Sequence, residues 1–168
     1  MLISGNLPLP LSLPCPCGSQ QSLSQCCAPY LQEQRRAATA EQLMRSRYSA
    51  YCTKNIDYLV KTHYPDYRQP NSRRQIAATA NSVKWLGLTV IATERGQPDD
   101  QTGVVEFVAL FQDGKQAVQL HERSRFHKEK GRWFYLEGDI LPPLLPKKNE
   151  PCWCKSGKKF KQCHGKRR

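Results

Sequence analysis

No stretch of this chain approaches the roughly 20 consecutive apolar residues a membrane-spanning helix requires, which excludes a helical membrane span. Acidic residues are scarce, 14 against 26 lysines and arginines, giving a formal net charge of +12. The first 14 residues, MLISGNLPLPLSLP, hold no lysine or arginine and are interrupted by Pro8, Pro10 and Pro14. A secretory signal needs a basic start and an unbroken apolar stretch, so a reducing, cytoplasmic setting is expected. Also missing are a phosphate-binding loop, a nucleophile elbow and any carboxylate pair whose proximity the sequence could establish. These absences make an enzyme the less favoured reading. The 168 residues, 39% of them hydrophobic, suffice for one domain with short appendages and a modest core, and argue against wholesale disorder.

Cysteine is abundant, with eight residues, and it is clustered. Cys15, Cys17, Cys26 and Cys27 lie near the start, Cys152, Cys154 and Cys163 near the end, and only Cys52 between them. The two clusters are copies of one pattern. Cys15-Pro16-Cys17, eight residues and Cys26-Cys27 match Cys152-Trp153-Cys154, eight residues and Cys163-His164. Ser19 and Ser156, Gln25 and Gln162, and the prolines Pro14 and Pro151 repeat in register. Each copy offers a quartet of soft or borderline donors, the kind a tetrahedral zinc site accepts. The count also fits. Two quartets use seven cysteines and His164, whereas a disulfide scheme gives His164 no role and must use or strand Cys52. Structural disulfides or reactive surface thiols are the alternative. Two zinc ions are expected, with iron the other candidate, because sulfur-rich spacing alone does not choose the metal. Units this short bury no core of their own, so metal binding and folding should coincide.

The charge is equally uneven. From Lys147 onward there are nine basic residues and one acid, Glu150, so this end carries most of the net charge. Within it, Trp153, Lys155, Lys158, Lys159, Phe160 and Lys161 form a candidate partner-binding surface around the second quartet.

CWCKSGKKFKQCHG resembles the SEC-C motif, the metal-binding tail of the SecA translocation ATPase and of many small bacterial proteins. CPCGSQQSLSQCCAPY resembles the N-terminal SEC-C copy of the YchJ family. The likeness continues through TAEQLMRSRYSAY, W-L-G-L at 85–88, LHERSRF and GRWFYLEGD, and so spans most of the chain. The usual C-G-S-G-K has become Cys17-Gly18-Ser19-Gln20-Gln21 and Cys154-Lys155-Ser156-Gly157-Lys158. Each copy has lost one turn glycine but no ligand, and the first also lacks the lysines.

Between the clusters, Thr39 and Gln42 can form a capping box that opens a helix to about Tyr51, with Leu43, Met44, Tyr48 and Tyr51 as its buried stripe. Arg45 and Arg47 are expected in solvent. Asn55 can cap a second helix carrying Ile56, Leu59, Val60 and His63, stopped at Pro65, with His63 at the edge of the core. The following polar stretch reads as loop with a short helix at Arg73 to Thr79. Val83–Thr93, Gly103–Phe111, Gln116–Phe126 and Arg132–Glu137 are rich in β-branched and aromatic residues and read as four strands. Trp85, Trp133 and Tyr135 are expected in the packing. The implied class is α+β, helices on one face of an antiparallel meander. The YchJ resemblance implies more: a curved, cone-shaped sheet of the nuclear-transport-factor-2 type with a pocket between sheet and helices. The expected organisation is a free segment at 1–14, a knuckle at 15–30, a central domain at 31–141, a Pro/Lys linker at 142–150 and a second knuckle at 151–168.

On the third strand His121, Arg123 and Arg125 share one face, and Leu120, Glu122, Ser124 and Phe126 the other. The basic trio could line a pocket for an anionic ligand, although rows of charge on antiparallel sheets are usually solvated faces. Cys52 is more often a small buried hydrophobe than a nucleophile. The favoured function is an interaction module whose basic knuckle docks an acidic protein or a ribosome, with nucleic acid bound non-specifically at most. An enzyme or small-ligand binder using the central pocket, or a metal carrier or redox sensor, are the alternatives. Complete quartets argue against hydrolytic zinc, which keeps a position open for water.

Overall fold

The computed structural model describes residues 9–154 and 156–166. Four helices precede a four-stranded sheet: α1 (Ala28–Leu31), α2 (Ala40–Cys52), α3 (Ile56–Lys61) and α4 (Ser72–Ser82), then β1 (Lys84–Arg95), β2 (Thr102–Asp113), β3 (Gln116–Glu129) and β4 (Arg132–Leu141). The strands form an antiparallel meander in chain order, the α+β layering the sequence implies.

Local chemistry sets these elements. Thr39 Oγ1 accepts from the Gln42 amide at 3.1 Å, and Gln42 Oε1 accepts from the Ala38 amide at 2.8 Å, so α2 opens on a reciprocal cap one residue longer than expected. Asn55 caps α3 through the Tyr58 amide at 3.1 Å. That helix closes at Lys61, before Pro65, where His63 pairs with Tyr135 in a short parallel bridge. The Tyr64 amide donates to the Tyr135 carbonyl, and the Tyr135 amide to that of Thr62. The bridge pairs the backbone groups of Tyr135 on the outer edge of β4, which would otherwise be left open there. At α4 the expected short helix is an eleven-residue one, since Ala77, Ala78 and Ala80 favour helix and Ile76 and Ala80 give it a buried face. The β3–β4 turn puts Lys130 and Gly131 at φ 48° and 73°, the two left-handed residues that a tight hairpin needs.

The core lies where Leu43, Met44 and Tyr48 of α2 meet Val105, Phe107 and Ala109 of β2, Phe126 of β3 and Trp133 of β4. Trp133 is 1% exposed and its Nε1 donates to the Ala38 carbonyl at 2.9 Å. Bulges between Trp85 and Gly87, Val90 and Ala92, and Arg125 and Phe126 bend the sheet around this layer.

One expectation fails within α2. Arg47 is buried, not solvated: its Nη1 donates to the Leu59 carbonyl at 2.7 Å and to Thr62 Oγ1 at 2.6 Å, tying α2 to the end of α3. Arg45 is also engaged, donating to the Cys17 carbonyl at 2.8 Å and pairing with Glu41.

Candidate metal centres

Both quartets assemble. The donor atoms of Cys15, Cys17, Cys26 and Cys27 all lie within 4.8 Å of one another, and so do those of Cys152, Cys154, Cys163 and His164. In the first set the Sγ atoms of Cys17 and Cys26 are 3.5 Å apart and those of Cys26 and Cys27 are 3.8 Å apart. In the second, Cys154 and Cys163 are 3.6 Å apart, and His164 Nδ1 lies 3.3 Å from both Cys152 and Cys163. A tetrahedral ion with thiolates at about 2.3 Å has a sulfur–sulfur edge of about 3.8 Å and a sulfur–nitrogen edge of about 3.6 Å. The observed separations suit donors around a common ion and are far from the bonded distance of about 2.05 Å in a disulfide.

The same backbone device builds each centre. The Cys15 amide donates to the Gln21 carbonyl at 2.7 Å, and the Cys152 amide to that of Lys158 at 2.8 Å. Pro14 bridges Ser22, and Pro151 bridges Lys159. Ser19 Oγ donates to Cys26 Sγ at 3.1 Å, and Ser156 Oγ to Cys163 Sγ at 3.5 Å. The turn before the third ligand needs a left-handed residue: Gly157 supplies it at φ 75°, whereas the first copy forces Gln20 into the role at φ 64°. The repeat read from ligand spacing therefore extends to hydrogen bonds and dihedral angles.

Crowding shifts the Cys17, Cys26, Cys27, Cys152 and Cys154 thiols from their ordinary values. Hydrogen bonds from the Cys15 and Cys27 thiols hold Cys17 well below the usual thiol range. Burial pushes Cys26 up to about 11, and hydrogen bonding with Cys15 and Cys17 drives Cys27 upward as well. In the second set burial raises Cys152; burial also acts on Cys154, but the Ser156 hydroxyl and backbone donors outweigh it and bring that thiol down to about 6. A bound dication would supply the positive charge that lets all of these donors coordinate deprotonated.

The surroundings differ sharply. Cys15, Cys17 and Cys27, with Leu23, belong to the main core. The Cys15 thiol meets Ser49 Oγ of α2 at 3.6 Å, and Asn55 Nδ2 donates to the Leu31 carbonyl at 3.2 Å. Residues 15–30 thus pack against the core and α2. In the second knuckle Cys152 is buried but His164, Lys158, Lys159 and Lys161 are exposed, while Phe160 is half-buried. Trp153 stacks on His164 with ring centroids 4.3 Å apart. Lys155 lies outside the described residues.

The basic trio of β3 lies away from the cavity between α2 and the sheet. His121, Arg123 and Arg125 project from the sheet face opposite the cavity, which takes Leu120, Glu122, Ser124 and Phe126 instead. Both His121 ring nitrogens face acceptors, Glu106 Oε1 at 2.9 Å and the Pro142 carbonyl at 2.7 Å. Arg123 pairs with Glu94, and Arg125 with Glu137 and Asp139. Cation–acid ladders across neighbouring strands use up the charge that an anion would need. Among the described residues Glu122 has no basic ion-pair partner; it accepts from Ser124 Oγ at 2.6 Å on the inner face. Burial pushes the Cys52 thiol up to about 12, consistent with an inert side chain.

The comparisons with known proteins agree with this geometry. The family model for the YchJ middle, NTF2-like domain matches residues 39–138, and that for the SEC-C motif matches residues 149–166. A UPF0225 protein of Photorhabdus laumondii is 47% identical over 157 residues, covering 90% of this chain and 98% of its own. One from Serratia proteamaculans is 42% identical, covering 90% and 97%. The solution structure of a SEC-C motif containing protein from Rhodopseudomonas palustris superposes with TM-score 0.71 at 37% identity, over 77% of this chain and all of that one. The crystal structure of another from Psychrobacter arcticus gives 0.64 at 31%, over 92% and 97%.

Proposed function

This chain belongs to the YchJ family, and from that premise we propose that it acts as a zinc-stapled adaptor whose second knuckle docks an acidic macromolecular surface, the ribosome being the candidate with the strongest field. The observation that carries the reading is the contrast between two copies of one centre. The first is sunk in the core and makes sense as a staple: Cys17 and Leu23 are fully buried. The second repeats the same hydrogen bonds yet presents Lys158, Lys159 and Lys161 to solvent, and most of the molecule's net charge gathers there. A fold held rigid by a metal can display cations in a fixed array, which a disordered basic tail cannot. The body gives the acceptor side little competition, because its sheet-face arginines are already paired with acids.

Zinc is favoured because both quartets are complete and the second includes an imidazole. Elemental analysis of protein purified without affinity metals should return about two zinc ions per chain. Docking is tested by co-sedimentation of the metal-loaded full chain with purified ribosomes over a salt series. Binding should weaken steeply with salt and fall by roughly tenfold or more when Lys158, Lys159 and Lys161 are all changed to Glu. Binding that ignores both salt and the triple reversal would refute the charge-based reading.

A further inference from the structure

The metal centres leave the interior of the body unaccounted for. Between α2 and the concave face of the sheet lies a cavity of about 250 Å³, walled largely by the rings of Tyr48, Tyr51, Trp85, Phe107, Phe126 and Tyr135. An engineered apolar cavity of roughly 150 Å³ accepts benzene, so this space admits an aromatic ring with a few further heavy atoms. Ile140 lines it and is 67% exposed, so the cavity reaches solvent at that side.

Arg47 distinguishes this space from a packing defect. The residue is only 7% exposed, lines the cavity and lies with its guanidinium carbon 4.6 Å from the Tyr135 ring centroid. Nη1 is committed to Leu59 and Thr62, but Nε and Nη2 make no hydrogen bond among the described residues, and no carboxylate comes within ion-pair distance. These two nitrogens are not sealed from solvent, whereas the indole Nε1 of Trp85 in the same wall is fully buried without a partner, a donor that is costly to leave unmatched. Glu122 lines the same cavity. Its Oε1 accepts from Ser124 and, at 3.4 Å, from the Tyr135 hydroxyl, while Oε2 has no donor among the described residues. One wall group therefore offers free donors and another a free acceptor. Because the two formal charges offset each other, a neutral guest fits better than an anion, which would leave a net buried negative charge.

We infer that the cavity is a binding site for a small neutral aromatic molecule with a carbonyl or amide oxygen for the free edge of Arg47 and a hydroxyl or N–H for Glu122. The site belongs to the body alone and stands whether or not the second knuckle docks a partner. The test is ligand-observed NMR on the metal-loaded full chain with three probes: 4-hydroxybenzamide, 4-hydroxybenzoate and toluene. The amide should bind with millimolar affinity or tighter, and the other two roughly tenfold more weakly, since each leaves a buried polar group unmatched or adds an unmatched charge. Glu122→Gln should weaken the amide severalfold. Ala109→Leu, which fills the cavity from β2, should abolish binding while circular dichroism shows the fold intact; Arg47→Lys serves as a second donor-side variant. Absence of saturation by the amide at about 10 mM overturns the site, given the affinity expected of a ligand this size. Equal binding of toluene overturns the polar recognition, and equal binding of the benzoate overturns the neutrality.

Discussion

Exchanging the residues at one repeated turn position tests which metal centre is built into the body. Gln20 holds φ 64° where the second copy has Gly157 at φ 75°. An L-residue in the left-handed region costs about 1–2 kcal/mol. Glycine removes that strain but returns about 0.4–1 kcal/mol through the freedom it adds to the unfolded chain. Gln20→Gly should therefore stabilise by about 0.5–1 kcal/mol, which for a chain of this size raises Tm by about 1–4 °C. The assay is calorimetry of the zinc-loaded protein. The gain should appear in the main transition, because Cys17, Leu23 and Cys27 share the core with α2 and the sheet. Gly157→Gln is the mirror experiment. A Cβ at Gly157 meets nothing within 4 Å, so only the dihedral cost applies, and it should weaken metal retention by the second knuckle without moving the main transition. Gly18→Ala is the severe control: φ is 76° and its Cβ would stand 2.9 Å from the Leu88 carbonyl oxygen, so it should lower the main Tm. If Gln20→Gly leaves the main transition unmoved, or Gly157→Gln shifts it as much, the first centre is not the staple of the body.

Three further outcomes follow from the geometry. A Cβ at Gly138 would lie 2.1 Å from Glu122 Oε1, so Gly138→Ala must swing that side chain off Ser124; the expected loss is about 1–2 kcal/mol in denaturant melts, and Glu122→Ala in the same chain should restore most of it. Burial, and then the nearby Arg47 charge, lower the His63 pKa below its ordinary value, so the unfolded chain takes up that proton first as pH falls. His63's contribution is complete above the ordinary histidine value and declines as pH drops through the window below it; His63→Gln should flatten the pH–stability profile there, and an unchanged profile would contradict this. Cys152→Ser with Cys154→Ser should remove one metal equivalent and broaden the amide signals of residues 151–166 alone, leaving the main melting transition within about 1 °C.

The two donor quartets were legible because ligand chemistry depends on spacing, and spacing is what a sequence preserves. The strands and the α2 cap were readable for a similar reason: β-branched runs and the Thr39–Gln42 pair act locally. Arg47 was misplaced although the signal was available. It follows Leu43 by four and precedes Tyr51 by four, so it lies with the buried stripe from which it had been set apart. The length of α4 was underestimated because its polar residues masked three alanines. Which face of β3 lines the cavity could not be read at all. Alternation separates His121, Arg123 and Arg125 from Glu122 and Ser124, but the choice of inner face depends on sheet curvature from the bulges and on acids contributed by β1, β2 and β4.

The segment joining body and second knuckle is shorter in effect than its nine residues, 142–150, suggest. Gln119 clamps Leu144 through both its amide atoms, the Leu144 amide donating to Oε1 at 2.6 Å and Nε2 donating to the Leu144 carbonyl at 3.3 Å. At the far end the Lys147 amide donates to Glu150, and the Lys148 and Glu150 carbonyls accept from Lys161 and Phe160 of the knuckle. Between the anchored Leu144 and Lys147 lie Leu145 and Pro146, a span of about 10 Å fully extended, stiffened by the proline ring. The free path between the body and the second knuckle is therefore short, which limits how far the two can separate.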